Sequence, residues 1–157
     1  MTPAKGDTIV VWFSSGAASA VAARLTIDKY PECIVRIVNN PIADEDPDNL
    51  RFLHDVEKWL GVQIESATNS KYPNCSAEEV WDARKYMSGV AGAPCTGELK
   101  KKARQQWESN NKTEWMVLGF TADEKSRHEN FVLSERDNVR KKHICRIVAI
   151  PNFNNFK

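Results

Sequence analysis

Alternating apolar and amphipathic stretches open the chain. Residues Thr8–Phe13 are a short run of β-branched and aromatic side chains, and residues 33–38 are a second, so each predicts a buried strand. Between them, residues 17–25 are rich in alanine with apolar side chains at helical spacing, which predicts a helix. A strand, helix and strand of this length form a right-handed crossover, so we expect a sheet that is parallel at its centre.

The clearest helical pattern follows the second strand. Asp46 is the expected N-cap, Pro47 suits the first helical position, and Gly61 is the expected stop. The apolar residues of this helix recur in one stripe, and we expect the whole stripe to lie in the core. Its members are Leu50, Leu53, Val56, Trp59 and Leu60.

Two further helices are indicated by capping signals. The sequence SAEE at residues 76–79 is a capping box, in which a serine and a glutamate three residues later satisfy the first N–H groups of a helix. A loop of small residues then leads to Thr96, which is the expected N-cap of a helix over residues 97–109.

The remaining strands are shorter or later. Residues 62–66 predict a short third strand, and residues 114–118 predict another that ends at Gly119. A second capping box, TADE at residues 121–124, follows at once, which makes a tight strand-to-helix junction. A last strand is expected within residues 143–150, before a frayed end.

The loop after the first strand, SSGAAS at residues 14–19, suits an anion. Small residues let a ligand reach the backbone, the first N–H groups of a helix lack internal partners, and the helix dipole adds partial positive charge. The alternative is that Ser14 or Ser15 only caps the helix. The glycine fingerprints of P-loops and dinucleotide folds are absent. Because ligands of parallel sheets bind beyond the carboxyl ends of the strands, this loop and the one at Gly119 are expected to share that edge.

Composition limits the alternatives. The 157 residues fit one domain, and 22 basic against 21 acidic residues give a net charge of +1, which indicates no general attraction to nucleic acid or acidic membranes. No stretch reaches membrane-spanning length, and the N-terminus lacks the apolar core of a signal peptide. We therefore expect a soluble, cytoplasmic protein with no membrane partner.

The four cysteines are scattered along the chain, without a C-x-x-C motif or a histidine at ligand spacing. They are Cys33, Cys75, Cys95 and Cys145. This pattern predicts neither a zinc site nor a disulfide framework, so we expect reduced thiols and assign no metal ligands.

The motifs SSGAAS, CTGELK and LGFTADEKSR, in this order, resemble the PP-loop superfamily of adenine nucleotide alpha hydrolases. Within it, the chain is most similar to the phosphoadenosine phosphosulfate (PAPS) reductase family, especially its short phage-type members. The resemblance covers roughly residues 8–131. It implies an α/β fold, a Rossmann-like (HUP-type) three-layer sandwich with a mainly parallel central sheet, as a single domain over residues 1–157 that is shorter than the family at its C-terminus.

The same resemblance implies a nucleotide site for ATP or PAPS. Asn39 would lie near the adenosine, Gly119 and Phe120 would close over it, and Arg127 would contact phosphate or sulfate. The phosphates would be held by Ser14, Ser15, Gly16 and Ser19. The family pattern is S-G-G-x-D-S, so Ser15 replaces a glycine and Ala18 replaces the aspartate that accompanies Mg²⁺-pyrophosphate chemistry. The use of Mg²⁺ is left open.

Cys95 with Lys100 resembles the mid-chain cysteine-lysine motif of the reductases. A thiol beside a helix N-terminus and lysines favours the thiolate, which is the nucleophilic form. The alternative is a small, buried residue behind Pro94. The family's cysteine-bearing tail is absent, since the chain ends PNFNNFK, and without paired cysteines no iron-sulfur cluster is expected.

These observations leave three functions open. In the first, the chain is an enzyme of PAPS reductase or ATP alpha-hydrolase type. A PAPS reductase would use a thioredoxin-like reductant as its partner. Alternatively, it is a non-catalytic module that binds or sequesters a nucleotide. The third alternative is a subunit of a sulfur-transfer or nucleic-acid modification complex, by analogy with the superfamily. The resemblance is also compatible with a homodimer.

Overall fold

The computed structural model describes residues 2–136 and 146–150. Its elements are β1 (Thr8–Phe13), α1 (Ala17–Lys29), β2 (Ile34–Asn39), α2 (Asp48–Leu60), β3 (Ile64–Ser66), α3 (Ala77–Arg84), a π-helical segment (Thr96–Lys102), α4 (Ala103–Asn110), β4 (Trp115–Thr121), a 3₁₀ turn (Ala122–Glu124), α5 (Lys125–Arg136) and β5 (Arg146–Ile150). The expected frayed end, and residues 143–145 of the last expected strand, lie outside the described residues.

The strands form one five-stranded sheet in the order β3-β2-β1-β4-β5, and every neighbouring pair is parallel. Phe13 lies beside Asn39, and Asn39 beside Ser66, so the first three strands end at a common edge. With helices packed on both faces, the predicted α/β three-layer, Rossmann-like fold is confirmed.

The two faces of β1 divide the core. Ile9, Val11 and Phe13 pack with residues of α1 and α2, whereas Val10 and Trp12 pack on the opposite face with residues of β2, β4 and α4. All five side chains are at most 6% exposed. Fully burying an aliphatic or phenylalanine side chain contributes about 1.5–3 kcal/mol, so this strand anchors both layers.

The expectation that the whole stripe of α2 lies in the core was wrong. Val56 and Leu60 are buried, but Leu50 is 61% exposed and Trp59 is 52% exposed. On a helix with 3.6 residues per turn, Leu50 and Trp59 lie at the two opposite edges of the apolar stripe. The sheet covers only the centre of the stripe, so its margins face solvent. Gly61 ends the helix in the left-handed conformation, as predicted, with φ 71°.

The capping box expected at residues 76–79 is also wrong. Ser76 makes no side-chain cap to α3. Instead, the Asp44 carboxylate, more than thirty residues earlier, accepts the Ala77 N–H at 2.5 Å and lies 3.4 Å from the Ser76 hydroxyl. A carboxylate at a helix N-terminus also interacts favourably with the helix dipole. Asp44 therefore caps α3 in place of Ser76.

Thr96 is not an N-cap either. Cys95 already has helical dihedral angles, φ −59° and ψ −40°, so the helix begins earlier and Thr96 lies inside it. Pro94 supplies the preorganised start that a proline gives at the first helical position. β4 also runs past the expected end at Gly119, because Gly119, Phe120 and Thr121 pair with β5. The box at residues 121–124 is confirmed.

Candidate functional site

The sheet order changes direction between β1 and β4. From β1 the chain builds outward through β2 and β3, then returns to place β4 and β5 on the other side of β1. In open parallel sheets this switch point leaves a crevice beyond the carboxyl ends of the two central strands, where ligands bind. Residues Ser14 to Ser19, named here the serine loop, follow β1 at that point.

The backbone of the serine loop exposes the beginning of α1. Gly16 is the N-cap in an extended conformation, φ −114° and ψ 154°, and as a glycine it has no side chain with which to cap the helix. The first bond from α1 back to the loop is Ala20 N–H to Gly16 O at 3.2 Å. Within the part of the chain that the structure describes, the N–H groups of Gly16, Ala17 and Ala18 have no hydrogen-bond acceptor. Neither Ser14 nor Ser15 therefore satisfies them.

Ser19 holds the loop from the inside. Its side chain is 1% exposed, and its hydroxyl donates to Gly16 O at 2.8 Å. The Ser19 Oγ in turn accepts the Ser14 N–H at 3.1 Å and the Ser14 hydroxyl at 3.2 Å. All hydrogen bonds of the Ser19 hydroxyl within the described residues are thus to atoms of the loop, whereas Ser14 is exposed at the surface of the loop. Ser19 thus fixes the shape that presents the free N–H groups.

Asn39, at the carboxyl end of β2, reaches the same loop. It is 7% exposed, and its amide donates to Phe13 O at 2.8 Å and to the Ser15 hydroxyl at 3.3 Å. Ser15 has a left-handed backbone, φ 58°, which costs a non-glycine residue about 1–2 kcal/mol. The Asn39 contact holds Ser15 in that conformation, so the structure brings Asn39 to the loop that the sequence assigned to phosphates.

Gly119 lies directly under the first turn of α1. A Cβ at this position would come within 2.7 Å of the Ala18 carbonyl oxygen and 2.7 Å of the Ser19 Cα. Both are backbone atoms, so a side chain could be accommodated only by moving the helix. The glycine therefore permits the close approach that sets the N-terminus of α1 over the switch point.

Phe120 is 6% exposed and packs beneath α5. Its ring centroid lies 6.0 Å from that of His128 and 6.4 Å from that of Phe131. The Arg127 guanidinium lies 5.8 Å from the Phe120 ring centroid, and its Nη1 lies 2.7 Å from Glu124 Oε1. The side chains of Phe120 and Arg127 are thus both engaged in contacts with neighbouring side chains.

Glu124 completes the second capping box. Its Oε2 accepts the Thr121 N–H at 3.0 Å and the Thr121 hydroxyl at 3.2 Å. The backbone bond from Thr121, together with the Arg127 guanidinium, holds the pKa of the Glu124 carboxyl below its usual value. The Arg127 side chain is nevertheless 76% exposed, so it stays accessible to an anion at this edge.

Cys95 and Lys100 are placed in a different setting. Cys95 is partly buried against a small apolar cluster that contains Tyr72, Val80 and Leu99. Lys100 Nζ lies 3.1 Å from Glu45 Oε1 in a half-exposed ion pair. The surroundings of Cys95 match the alternative of a packed thiol, and the Lys100 ammonium is neutralised by a carboxylate.

The acidic turn after β2 is used for structure. Asp44 caps α3, and Glu45 pairs with Lys100. Asp46 accepts the Asp48 N–H at 2.9 Å, but α2 begins at Asp48 with Pro47 as its N-cap, so the expected N-cap at Asp46 and first helical position at Pro47 were each one residue too early. Across residues 2–136 and 146–150, no group of three or more histidine, cysteine or acidic side chains is arranged to hold a metal ion.

Glu98 is a buried acid that sequence reasoning missed. It is 2% exposed, and it accepts from Lys102 Nζ at 2.8 Å, from Asn69 Nδ2 at 3.2 Å and from Arg84. The Lys102 ammonium, together with Arg84, holds the pKa of the Glu98 carboxyl below its usual value although burial opposes this shift. Only the i, i+4 spacing of Glu98 and Lys102 could have signalled part of this cluster.

No helix in the described segments is both long and apolar enough to cross a bilayer. Compared with known proteins, the sequence matches no family model and no curated protein. The geometry of the serine loop and the sequence motifs are therefore what indicate a function.

Proposed function

We propose that the serine loop binds the phosphate or sulfate end of an adenine nucleotide, ATP or PAPS. The observation that carries this proposal is that three N–H groups, from Gly16 to Ala18, have no acceptor among the described residues at the start of a 13-residue helix. Unpaired N–H groups and the positive end of a helix dipole together favour an anion. Their position at the switch point of the sheet is where ligands of this architecture bind.

Preorganisation supports the same function. The Ser19 hydroxyl and the Asn39 amide fix the loop through buried hydrogen bonds before any ligand arrives. A loop that is already ordered pays little conformational entropy on binding, so more of the interaction energy appears as affinity. Arg127, 76% exposed in the first turn of α5, is paired with Glu124 and would exchange that partner to contact a second anionic group.

A non-catalytic binding module is the form of this function that the site favours. Ala18 offers no carboxylate for Mg²⁺, Lys100 is paired with Glu45, and Cys95 packs against apolar side chains. In the catalytic alternative, the Cys95 thiolate would attack the sulfonate sulfur of PAPS. The sulfur–oxygen bond to the phosphate would break, the nucleotide would leave with that electron pair, and a thioredoxin-like dithiol would release sulfite from the resulting cysteine thiosulfonate as its own thiols are oxidised to a disulfide.

Binding is tested by calorimetric titration of the full chain with ATP, with PAPS and with adenosine, which lacks the anion. We expect binding of at least one nucleotide and much weaker binding of adenosine. Ser14→Asp places a negative charge at the mouth of the loop and should abolish nucleotide binding. Because a carboxylate near a helix N-terminus stabilises the helix by about 0.3–1 kcal/mol, this variant should unfold at the same temperature or slightly higher.

Ser70→Asp is the matched control, since Ser70 is an exposed serine in another loop. It should bind nucleotide as the unaltered chain does. No heat and no thermal shift with either nucleotide at saturation would remove the proposal. Sulfite, AMP or pyrophosphate that appears with the unaltered chain and disappears with Cys95→Ser would select the enzyme, whereas binding without product would select the module.

A further inference from the structure

Arg104, near the beginning of α4, is a half-buried cation without a carboxylate partner. Of the arginines whose side chains the structure describes, it is the one that forms no ion pair or hydrogen bond with another described residue. The others are each paired with an acidic side chain: Arg24, Arg36, Arg51, Arg84 and Arg127. A guanidinium stays charged and carries five N–H donors, so those of Arg104 are left for an acceptor from outside this set.

The Arg104 guanidinium lies over the indole ring of Trp12, with its Cζ 5.9 Å from the ring centroid. Trp12 is held in turn by the edge of Trp107, at 5.5 Å between ring centroids. Stacking on an aromatic face orients the planar guanidinium before any ligand arrives. Trp12 is 6% exposed, and its indole N–H also lacks an acceptor among the described residues, which is uncommon for a buried donor. Two neighbouring donor groups therefore both lack an acceptor.

Contacts along α4 fix its direction relative to the sheet. Asn111, just after the end of α4, accepts from Arg36, which is paired in register with Val10 in the first half of β1. Arg104, at the start of the helix, lies instead over Trp12, near the end of that strand. α4 therefore runs antiparallel to β1, with its N-terminal end at the carboxyl edge of the sheet.

The direction of helical side chains brings the Arg104 guanidinium toward the same edge. In an α-helix each Cα–Cβ bond tilts toward the N-terminus, so this side chain leans toward the carboxyl ends of the strands. Ser14 follows Trp12 by two residues, about 7 Å along a strand. The serine loop leads to α1 on one face of the sheet, whereas Trp12 and α4 lie on the other. A ligand that crosses the edge at the switch point would reach from the loop to Arg104.

We propose that Arg104 binds a second anionic group of the nucleotide whose first anionic group is held by the serine loop. Arg127 must release Glu124 before it can bind an anion, whereas Arg104 has no carboxylate to release. Its planar fork can donate to two oxygens of a phosphate or sulfate at once. This inference rests on the proposed nucleotide site and adds a preference to it. Nucleotides with a further phosphate or sulfate, such as ATP and PAPS, are favoured over AMP.

Calorimetric titration of the full chain with AMP, ATP and PAPS tests the inference. The unaltered chain should bind ATP or PAPS more tightly than AMP. Arg104→Gln should weaken binding of the preferred nucleotide by about tenfold or more, the size expected for one charge-assisted contact, and change binding of AMP by less than about twofold. Arg104→Lys keeps the charge but not the planar fork, so an intermediate loss is expected.

Lys101→Gln is the matched control, because Lys101 is an exposed cation three residues earlier and the variant removes the same charge. It should bind every nucleotide as the unaltered chain does. ATP and PAPS binding that is unchanged in Arg104→Gln, or reduced equally in Lys101→Gln, would overturn this inference and leave the role of the serine loop intact. No binding of any nucleotide by the unaltered chain would remove the inference together with the proposed function. Circular dichroism verifies that every variant is folded.

Discussion

The two stretches that the sequence selected for chemistry differ in what their polar groups do. In the serine loop, the buried Ser19 hydroxyl and the buried Asn39 amide bind the loop itself, and the first helix N–H groups have no partner in the segments that the structure describes. Around the π-helical segment, Lys100 and Lys102 are paired with carboxylates, and Cys95 packs against apolar side chains. One stretch is built to leave donors open, and the other is built to satisfy them.

Because of this difference, the structure is ready for anion binding at the serine loop but not for a reaction at Cys95. An anion at the serine loop would add hydrogen bonds without breaking any, because its donors are already unpaired. A reaction at Cys95 would first have to release Lys100 from Glu45 and expose the thiol. Substitutions around the serine loop and around the π-helical segment are therefore expected to change the free energy of unfolding by different amounts.

The largest effect is expected from Gly119→Ala. The new methyl group would lie 2.7 Å from backbone atoms of Ala18 and Ser19, so α1 must shift away from β4. Overpacking of this kind costs about 1–3 kcal/mol, and we expect the upper end because neither neighbour is a flexible side chain. Urea unfolding should show a lower midpoint, and nucleotide binding should weaken with it.

Gly97→Ala is the control for that experiment. Gly97 lies inside a helix, and a methyl group added there would have no atom of another described segment within 4 Å. Alanine is favoured over glycine in helices by about 1 kcal/mol, so this variant should be more stable than the unaltered chain. Equal stability of the two alanine variants would show that the close approach at Gly119 is unimportant.

A smaller loss is expected from Glu98→Gln. The carboxylate is buried and accepts from Lys102, Arg84 and Asn69, whereas the amide of glutamine cannot accept in the same way. Because both cations are half exposed, they can return to water, so we expect a loss of about 1–3 kcal/mol in the free energy of unfolding. Glu78→Gln, at an exposed acid of α3, should change it by less than about 0.5 kcal/mol.

The pH dependence of the same variant gives a second measurement. The pKa of Glu98 is lower in the folded chain than its ordinary value of 4.5. Its contribution is therefore complete above pH 4.5 and is lost as the pH falls from there through the folded pKa. The stability difference between the unaltered chain and Glu98→Gln should shrink on acidification below pH 4.5, and a constant difference would contradict the ion-paired assignment.

The strands and the serine loop could be predicted from sequence because their signals are local. Runs of apolar residues identified β1 and β2, and SSGAAS marked the turn into α1. The parallel pairing followed from the length of the crossover. The role of Gly119 was less accessible, because the need for a glycine there comes from α1, a hundred residues earlier in the chain.

Interactions between distant segments explain the errors. Asp44 caps α3 in place of Ser76, and Arg84 and Asn69 complete the Glu98 cluster. None of these pairs is close enough in sequence for periodicity or a capping motif to signal it. The exposure of Trp59 has a related cause, since helical spacing identifies a stripe but not how much of it the sheet covers.

The smallest effect on stability is expected from Lys100→Gln. Lys100 is paired with Glu45, and both side chains are partly exposed, at 48% and 34%. Exposed pairs of this kind contribute about 0–1 kcal/mol, so the unfolding midpoint should hardly move. If the chain only binds nucleotide, titration with ATP or PAPS should also be unchanged, because the pair lies outside the serine loop. A large loss of sulfite or pyrophosphate formation with unchanged affinity would instead assign Lys100 to catalysis and overturn the separation of the two stretches.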